Sequence, residues 1–206
     1  MTRQLLQSPT NAVVAACRTP SKAAELQELA KGVEGKLYIV SINLDDPQSI
    51  RACADDVAKL LGDRGVDYIV NNAAVVRHTS SMSGHCALLI LSTTQNLNQE
   101  DYAFTMDVEV LQKVFHTNVA GAAYVAHAFL PLLEKSRKKT IVNISSTLGS
   151  MGADYGAYHS SYSISKAALN MLVRLSAFLL CSLVFRVAAL MPTDDIADVQ
   201  AGEGAS

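Results

Sequence analysis

The stretch "NAVVAACRTPSKAAELQELAKGVEGKLYIVSINLDDPQSIRACADDVAKLLGDRGVDYIVNNAA" (residues 11–74) decides the fold. It contains three apolar runs of strand length, 11–17, 36–44 and 66–75, bounded by turn residues. Two segments of helical composition lie between them. "SKAAELQELAKG" (21–32) is filled with Ala, Leu and Glu, can be capped by Thr19 or Ser21, and ends at Gly32. "DPQSIRACADDVAKLLGD" (46–63) has Asp46 at the N-cap and Pro47 at the first helical position, where a missing N–H costs nothing. Strand, helix, strand, helix, strand at this spacing predicts βαβ units and a doubly wound, parallel α/β sheet.

The pattern continues towards the C-terminus. Residues 106–136 predict a long helix in one or two parts, "KTIVNISS" (139–146) a fourth strand, 159–182 another long helix, and "LVFRVAAL" (183–190) a fifth strand. Residues 77–101 break the rhythm. They are rich in Ser, Thr and Asn around one apolar run, "CALLIL" (86–91), and read as an insertion or disordered loop, with a substrate-side lid as the other reading. Residues 191–206 are small and polar and are expected to form a flexible tail.

The 206 residues are expected to form one domain, 1–206. Half are hydrophobic and 17% are charged, which suits a sheet buried on both faces. A net charge of −2 gives no reason to expect a nucleic-acid or membrane-surface partner. The four cysteines show no metal-ligand spacing, so no metal site and a reducing, cytoplasmic setting are expected. Residues 1–10 lack the apolar core of a secretory signal, and the apolar stretch 175–185 is too short to span a bilayer.

Chemistry concentrates in the second half. Tyr162 and Lys166 of "YSISK" are four residues apart and share one helix face. An ammonium nearby favours phenolate, so such a tyrosine could exchange a proton with an alcohol or carbonyl oxygen near neutral pH. Standing alone, the pair reads equally as a helix tyrosine beside a solvated lysine. Ser145 and Ser146 end the fourth strand, and ligands of open α/β sheets bind at the carboxyl ends of strands. A lone serine there more often caps a turn. "NNAA" (71–74) ends the third strand, where small residues let a ligand approach and Asn side chains can tie strands together. Asn118 lies in an apolar helix, where an amide needs a partner.

In order, "CR" (17–18), "NLDD" (43–46), "NNAA", "TNVAGA" (117–122), "IVNISS" (141–146) and "YSISKAALNML" (162–172) resemble the short-chain dehydrogenase/reductase family, in particular its sniffer-like and C-factor-like carbonyl reductases. The resemblance covers about 3–75 and 104–190. It implies a Rossmann-like fold and a nicotinamide cofactor. It implies that Tyr162 is the general acid/base, that Lys166 binds the nicotinamide ribose and lowers the tyrosine pKa, and that Ser146, rather than Ser145, orients the substrate oxygen. Asn118 would hold a water linking Lys166 to solvent. Asp45 would lie against the adenine, Asn71, Ala73 and Val119 would line the cofactor cleft, and Pro192, beside Thr193, would reach the nicotinamide end. Homodimers or homotetramers would form through helices 106–134 and 159–182.

Arg18 and Lys22 follow the first strand of this chain with no acidic residue beside them, so NADP(H) is expected over NAD(H): a 2′-phosphate wants an Arg where a 2′-hydroxyl wants a carboxylate. No glycine precedes Gly32, so the glycine-rich phosphate loop and the strand before it are expected to be missing, with Met1 falling inside the family's first helix. The strands flanking that central position would then pair with each other or accept 86–91. Two functions follow as expectations. One is a carbonyl reductase or alcohol dehydrogenase whose cofactor affinity is impaired in this chain. The other is a non-catalytic relative acting through oligomerisation or a partner.

Overall fold

The computed structural model describes residues 1–32, 36–76, 101–153, 159–180 and 186–190. Apart from Asp101, the expected insertion 77–101 lies outside the described residues, as do the run 86–91 and the tail 191–206 with Pro192. The elements run α1 (Thr2–Leu5), β1 (Ala12–Cys17), α2 (Ala24–Lys31), β2 (Lys36–Ser41), α3 (Pro47–Leu61), β3 (Tyr68–Asn71), α4 (Val108–Phe115), α5 (Gly121–Glu134), β4 (Thr140–Ile144), α6 (Ser160–Leu180) and β5 (Arg186–Leu190). One turn of π-helix, His116–Ala120, joins α4 to α5, so the predicted long helix is in two parts. Short 3₁₀ turns span Pro20–Lys22 and Thr147–Gly149.

Local chemistry explains most boundaries. Asp46 caps α3 as expected, accepting from the Gln48 N–H at 2.9 Å, with Pro47 at the first position. Gly62 ends α3 at φ 60°, a conformation that costs a glycine little. The start of α2 differs from expectation. Neither Thr19 nor Ser21 caps it, because Pro20–Lys22 forms a separate 3₁₀ turn and Ala23 takes the N-cap position without a side-chain acceptor. The third strand, expected within 66–75 before a loop, is β3 with four residues, and β2 is shorter than its run 36–44.

All pairings among the described strands are parallel. They form two ladders, β1–β2 and β3–β4–β5, and none joins β1 to β3. Direct pairing of these two strands, one of the two sequence-based expectations, therefore does not occur among the described residues. Helices join the two ladders instead. α3 contributes Ile50, Cys53, Ala54 and Val57, one helical stripe, and α5 contributes Val125, Phe129, Leu132 and Leu133. These meet Val40 of β2, Ile69 of β3 and Ile141 of β4 in a single core. Since Leu133 is completely buried there, Leu133→Ala is expected to cost about 2–5 kcal/mol of unfolding free energy in urea titrations. Leu60→Ala, at a side chain 41% exposed, is expected to cost less than about 1 kcal/mol.

Candidate active site

The C-terminal end of β4 and the first three turns of α6 bring Ser146, Tyr162 and Lys166 together. Tyr162 is buried, 7% exposed, with the Ser146 side chain beside its phenol. Lys166, one turn further along α6, places Nζ 5.5 Å from the centre of the Tyr162 ring. Its ammonium donates to the Ile144 carbonyl at 2.7 Å, at the last residue of β4. Burial holds the Tyr162 phenol above its ordinary value, and the Ser146 hydrogen bond pulls it part of the way back. This departs from the sequence expectation of a lysine-depressed tyrosine, because Lys166 lies over the ring and bonds to the backbone. Burial also lowers Lys166 to about 8.

The two strand-end serines separate by geometry. Ser145 is 2% exposed and donates to Asn170 Oδ1 at 2.6 Å. Ser146 faces Tyr162 and accepts from the Leu148 N–H at 3.2 Å, starting the 3₁₀ turn. Asn71 donates to Asn143 Oδ1 at 2.9 Å, tying β3 to β4.

Asn118 lies within the π turn and is 2% exposed. Its Oδ1 accepts from the Val75 N–H at 2.8 Å, and its Nδ2 donates to the Val75 carbonyl at 2.9 Å and to Ser165 Oγ at 3.0 Å. Ser165, itself fully buried, donates to the Tyr162 carbonyl at 2.7 Å. Both amide protons of Asn118 are thus committed to protein. The side chain joins three elements: the loop after β3, the π turn and α6. No amide proton is left for the water expected at this residue.

The expected cofactor-side residues line the same sheet edge more loosely. Arg18 is exposed after β1. Asp45 is exposed after β2, and its carboxylate accepts from Thr117 Oγ1 at 2.5 Å. Ala73 is exposed, whereas Val119 is buried at 8% and offers little surface to a ligand.

Sequence reasoning missed Asp101. Its carboxylate is 8% exposed and accepts from Ser161 Oγ at 2.7 Å and from the Ser161 N–H at 3.2 Å, while its carbonyl accepts from the Ser160 N–H at 2.9 Å. Before α6, His159 is left-handed at φ 56°, not extended like an ordinary N-cap residue. Asp101 supplies the acceptor from sixty positions away, and its charge suits the positive end of the helix. No local pattern could have shown this. Asn170 did carry a signal, the one that marked Asn118: an amide inside an apolar helix.

Two measurements follow. Asp101→Ala is expected to lower stability by about 2–3 kcal/mol, with Asp101→Asn recovering part of the loss, in denaturant titrations. Lys166→Met is expected to stabilise the fold at pH 7 by up to about 3 kcal/mol. The lysine titrates near 10.5 unfolded and at about 8 folded. Unfolding therefore takes up a proton between those values, the stability of the unaltered protein rises through that window, and the advantage of the variant closes by about pH 10.5. A gap that stays constant across pH 7–10.5 would overturn this.

Known proteins share this chain's sequence pattern and fold. Residues 1–200 match the sequence pattern of the short chain dehydrogenase family. An uncharacterized oxidoreductase of Schizosaccharomyces pombe is 30% identical over 192 residues, covering 93% of this chain and 66% of the relative. A short-chain dehydrogenase/reductase of Pestalotiopsis fici is 31% identical over 83% of this chain and 60% of its own length. The chain therefore spans less than two thirds of the length of these relatives. The NADPH-bound carbonyl reductase from chicken fatty liver superposes with a TM-score of 0.76 at 30% identity, over 93% of this chain and 72% of the other. The carbonyl reductase Sniffer of Drosophila melanogaster superposes at 0.74 over 91% and 72%, and at 23% identity it shows likeness of fold. With the family pattern running along nearly its whole length over parallel α/β ladders, the chain belongs to the short-chain dehydrogenase/reductase family and has its Rossmann-like fold.

Proposed function

We propose that the protein is an NADP(H)-dependent oxidoreductase that reduces a small-molecule carbonyl or oxidises the corresponding secondary alcohol. The observation that carries this reading is the juxtaposition of Ser146 and Tyr162 with Lys166 over the tyrosine ring, placed at the C-terminal end of a parallel sheet. The chicken carbonyl reductase, solved with NADPH, supports the same cofactor and substrate class.

The donor set fits the 2′-phosphate and nicotinamide-ribose ends of a dinucleotide, while no glycine-rich loop for its pyrophosphate precedes Gly32. Arg18, exposed and followed by Lys22, would pair with that phosphate. Asp45 would stand beside the adenine, Asn71 and Ala73 would line the middle of the cleft, and Lys166 would hold the nicotinamide ribose. When bound, the cofactor supplies or accepts the hydride at the carbonyl carbon. The chain's own residues manage the proton. Tyr162, kept as a phenol by burial, gives its O–H proton to the substrate oxygen as charge develops there. Ser146 holds the same oxygen by its hydroxyl. Lys166 stands over the same ring with its ammonium on the Ile144 carbonyl. A phenol held above its ordinary pKa is protonated near neutral pH, which is the form that reduction uses.

A second reading concerns self-association. α6 exposes Ile164, Met171 and Leu175, at helical spacing on one face, with Leu175 61% exposed. This stripe supports the expected contact between copies, with or without turnover. No helix among the described residues is long and apolar enough to cross a membrane.

NADPH fluorescence titration, followed by turnover of an aldehyde, tests the main reading. Tyr162→Phe is expected to abolish turnover while leaving NADPH binding intact. Arg18→Glu is expected to weaken NADPH binding roughly 10- to 100-fold and NADH binding far less. Equal losses for both cofactors would overturn the assignment of Arg18. In light scattering, Met171→Glu with Leu175→Glu is expected to shift an oligomer towards monomer.

A further inference from the structure

We infer that Asn170 is a positioning residue that fixes Ser146 against Tyr162 by clasping the chain on both sides of that serine. The inference takes the roles of Ser146 and Tyr162 from the function proposed above. Asn170 is one turn beyond Lys166 and two turns beyond Tyr162, on the same face of α6. Its Oδ1 accepts from Ser145 Oγ at 2.6 Å, immediately before Ser146. Its Nδ2 donates to the Gly149 carbonyl at 3.3 Å, three residues after Ser146. A carbonyl can only accept, so Nδ2 must face Gly149 and Oδ1 must face Ser145. The proton of Ser145 is thereby committed, which leaves Ser146 as the strand-end hydroxyl for a substrate oxygen.

Between these two bonds the chain forms a short, internally bonded unit. Ser146 Oγ accepts from the Leu148 N–H, and the Ser146 carbonyl accepts from the Gly149 N–H at 3.0 Å. The unit lies flat on the helix. A Cβ added at Gly149 would approach the Lys166 backbone carbon and Cβ to 2.8 Å, closer than real contacts allow. The close approach at Gly149 and the two bonds of Asn170 thus dock the turn onto the helix that carries Tyr162 and Lys166. A leucine at 170 would fill similar space and make neither bond.

The test reads the tyrosine itself. The full chain is labelled with 3-fluorotyrosine, whose phenols titrate lower than tyrosine's, and followed by ¹⁹F NMR against pH. Tyr162 is assigned among the seven tyrosines by the signal lost in Tyr162→Phe. Ser146→Ala sets the reference, because losing its hydrogen bond moves the Tyr162 midpoint upward. Asn170→Leu is expected to move that midpoint up by about half to one pH unit. The double variant Ser146→Ala with Asn170→Leu is expected to move it no further than Ser146→Ala alone. If Asn170→Leu does not fold, Gly149→Ala, which must lift the turn off α6, is expected to give the same upward movement. A midpoint that stays in place while the melting temperature falls would show a merely structural amide and overturn the inference. Additive shifts in the double variant would overturn it too. Absence of aldehyde turnover in the unaltered protein would count against the proposed reaction alone, since the titration is read without cofactor or substrate.

Discussion

The packing of α3 against α5 is the contact on which the rest of the structure depends. Among the described residues no ladder joins β1–β2 to β3–β4–β5, so this helix pair sets how the two ladders stand to one another. The first ladder ends in Arg18 and Asp45, and the second ends at Ser146 beneath Tyr162. The span between Arg18 and Tyr162 is therefore held by apolar side chains. Polar contacts also cross the divide, from Thr117 and His116 of the π turn to Asp45, but Asp45 is exposed and these bonds are correspondingly weak. A buried stripe of Ile50, Cys53 and Val57 meeting Phe129 and Leu133 is stiffer, since close-packed interiors resist change of even one methylene.

α6 is held differently. Its buried face carries Ser161, Ser165 and Lys166, each bonded to a separate part of the chain: Asp101, the Asn118 amide and the end of β4. Apolar packing tolerates small rotations of a helix, whereas directional bonds lose strength steeply when misaligned. A helix fixed by several buried hydrogen bonds therefore has one register and one rotation. Such a device suits the element that must present a phenol and an ammonium to one point.

Much of this was legible in the sequence, for physical reasons. The alternation of strands and helices follows from apolar runs and from Asp46 and Pro47, whose capping roles are local. Asn118 and the Tyr162–Lys166 pair stood out because a polar group in an apolar helix needs a partner. The start of α2 misled, since Pro20 closed its own 3₁₀ turn before the helix began. Asp101 was illegible, because its partner Ser161 is sixty residues away and no pattern links them. The tyrosine's direction of titration was misjudged for a related reason. Spacing along a helix shows that Lys166 is near Tyr162, but the Ile144 carbonyl that takes up the ammonium comes from another element.

The π turn at His116–Ala120 also bears on how such a chain can change over time. A π turn is an α-helix carrying one extra residue. Deleting that residue would return the helix to regular winding, and the groups displaced would be those of the turn itself: Asn118 with its bonds to Val75, and Thr117 with its bond to Asp45. The flanks, α4 with its buried Val114 and α5 with its core stripe, keep their faces in either winding. The extra residue therefore serves the groups around Asn118, and the core is indifferent to it.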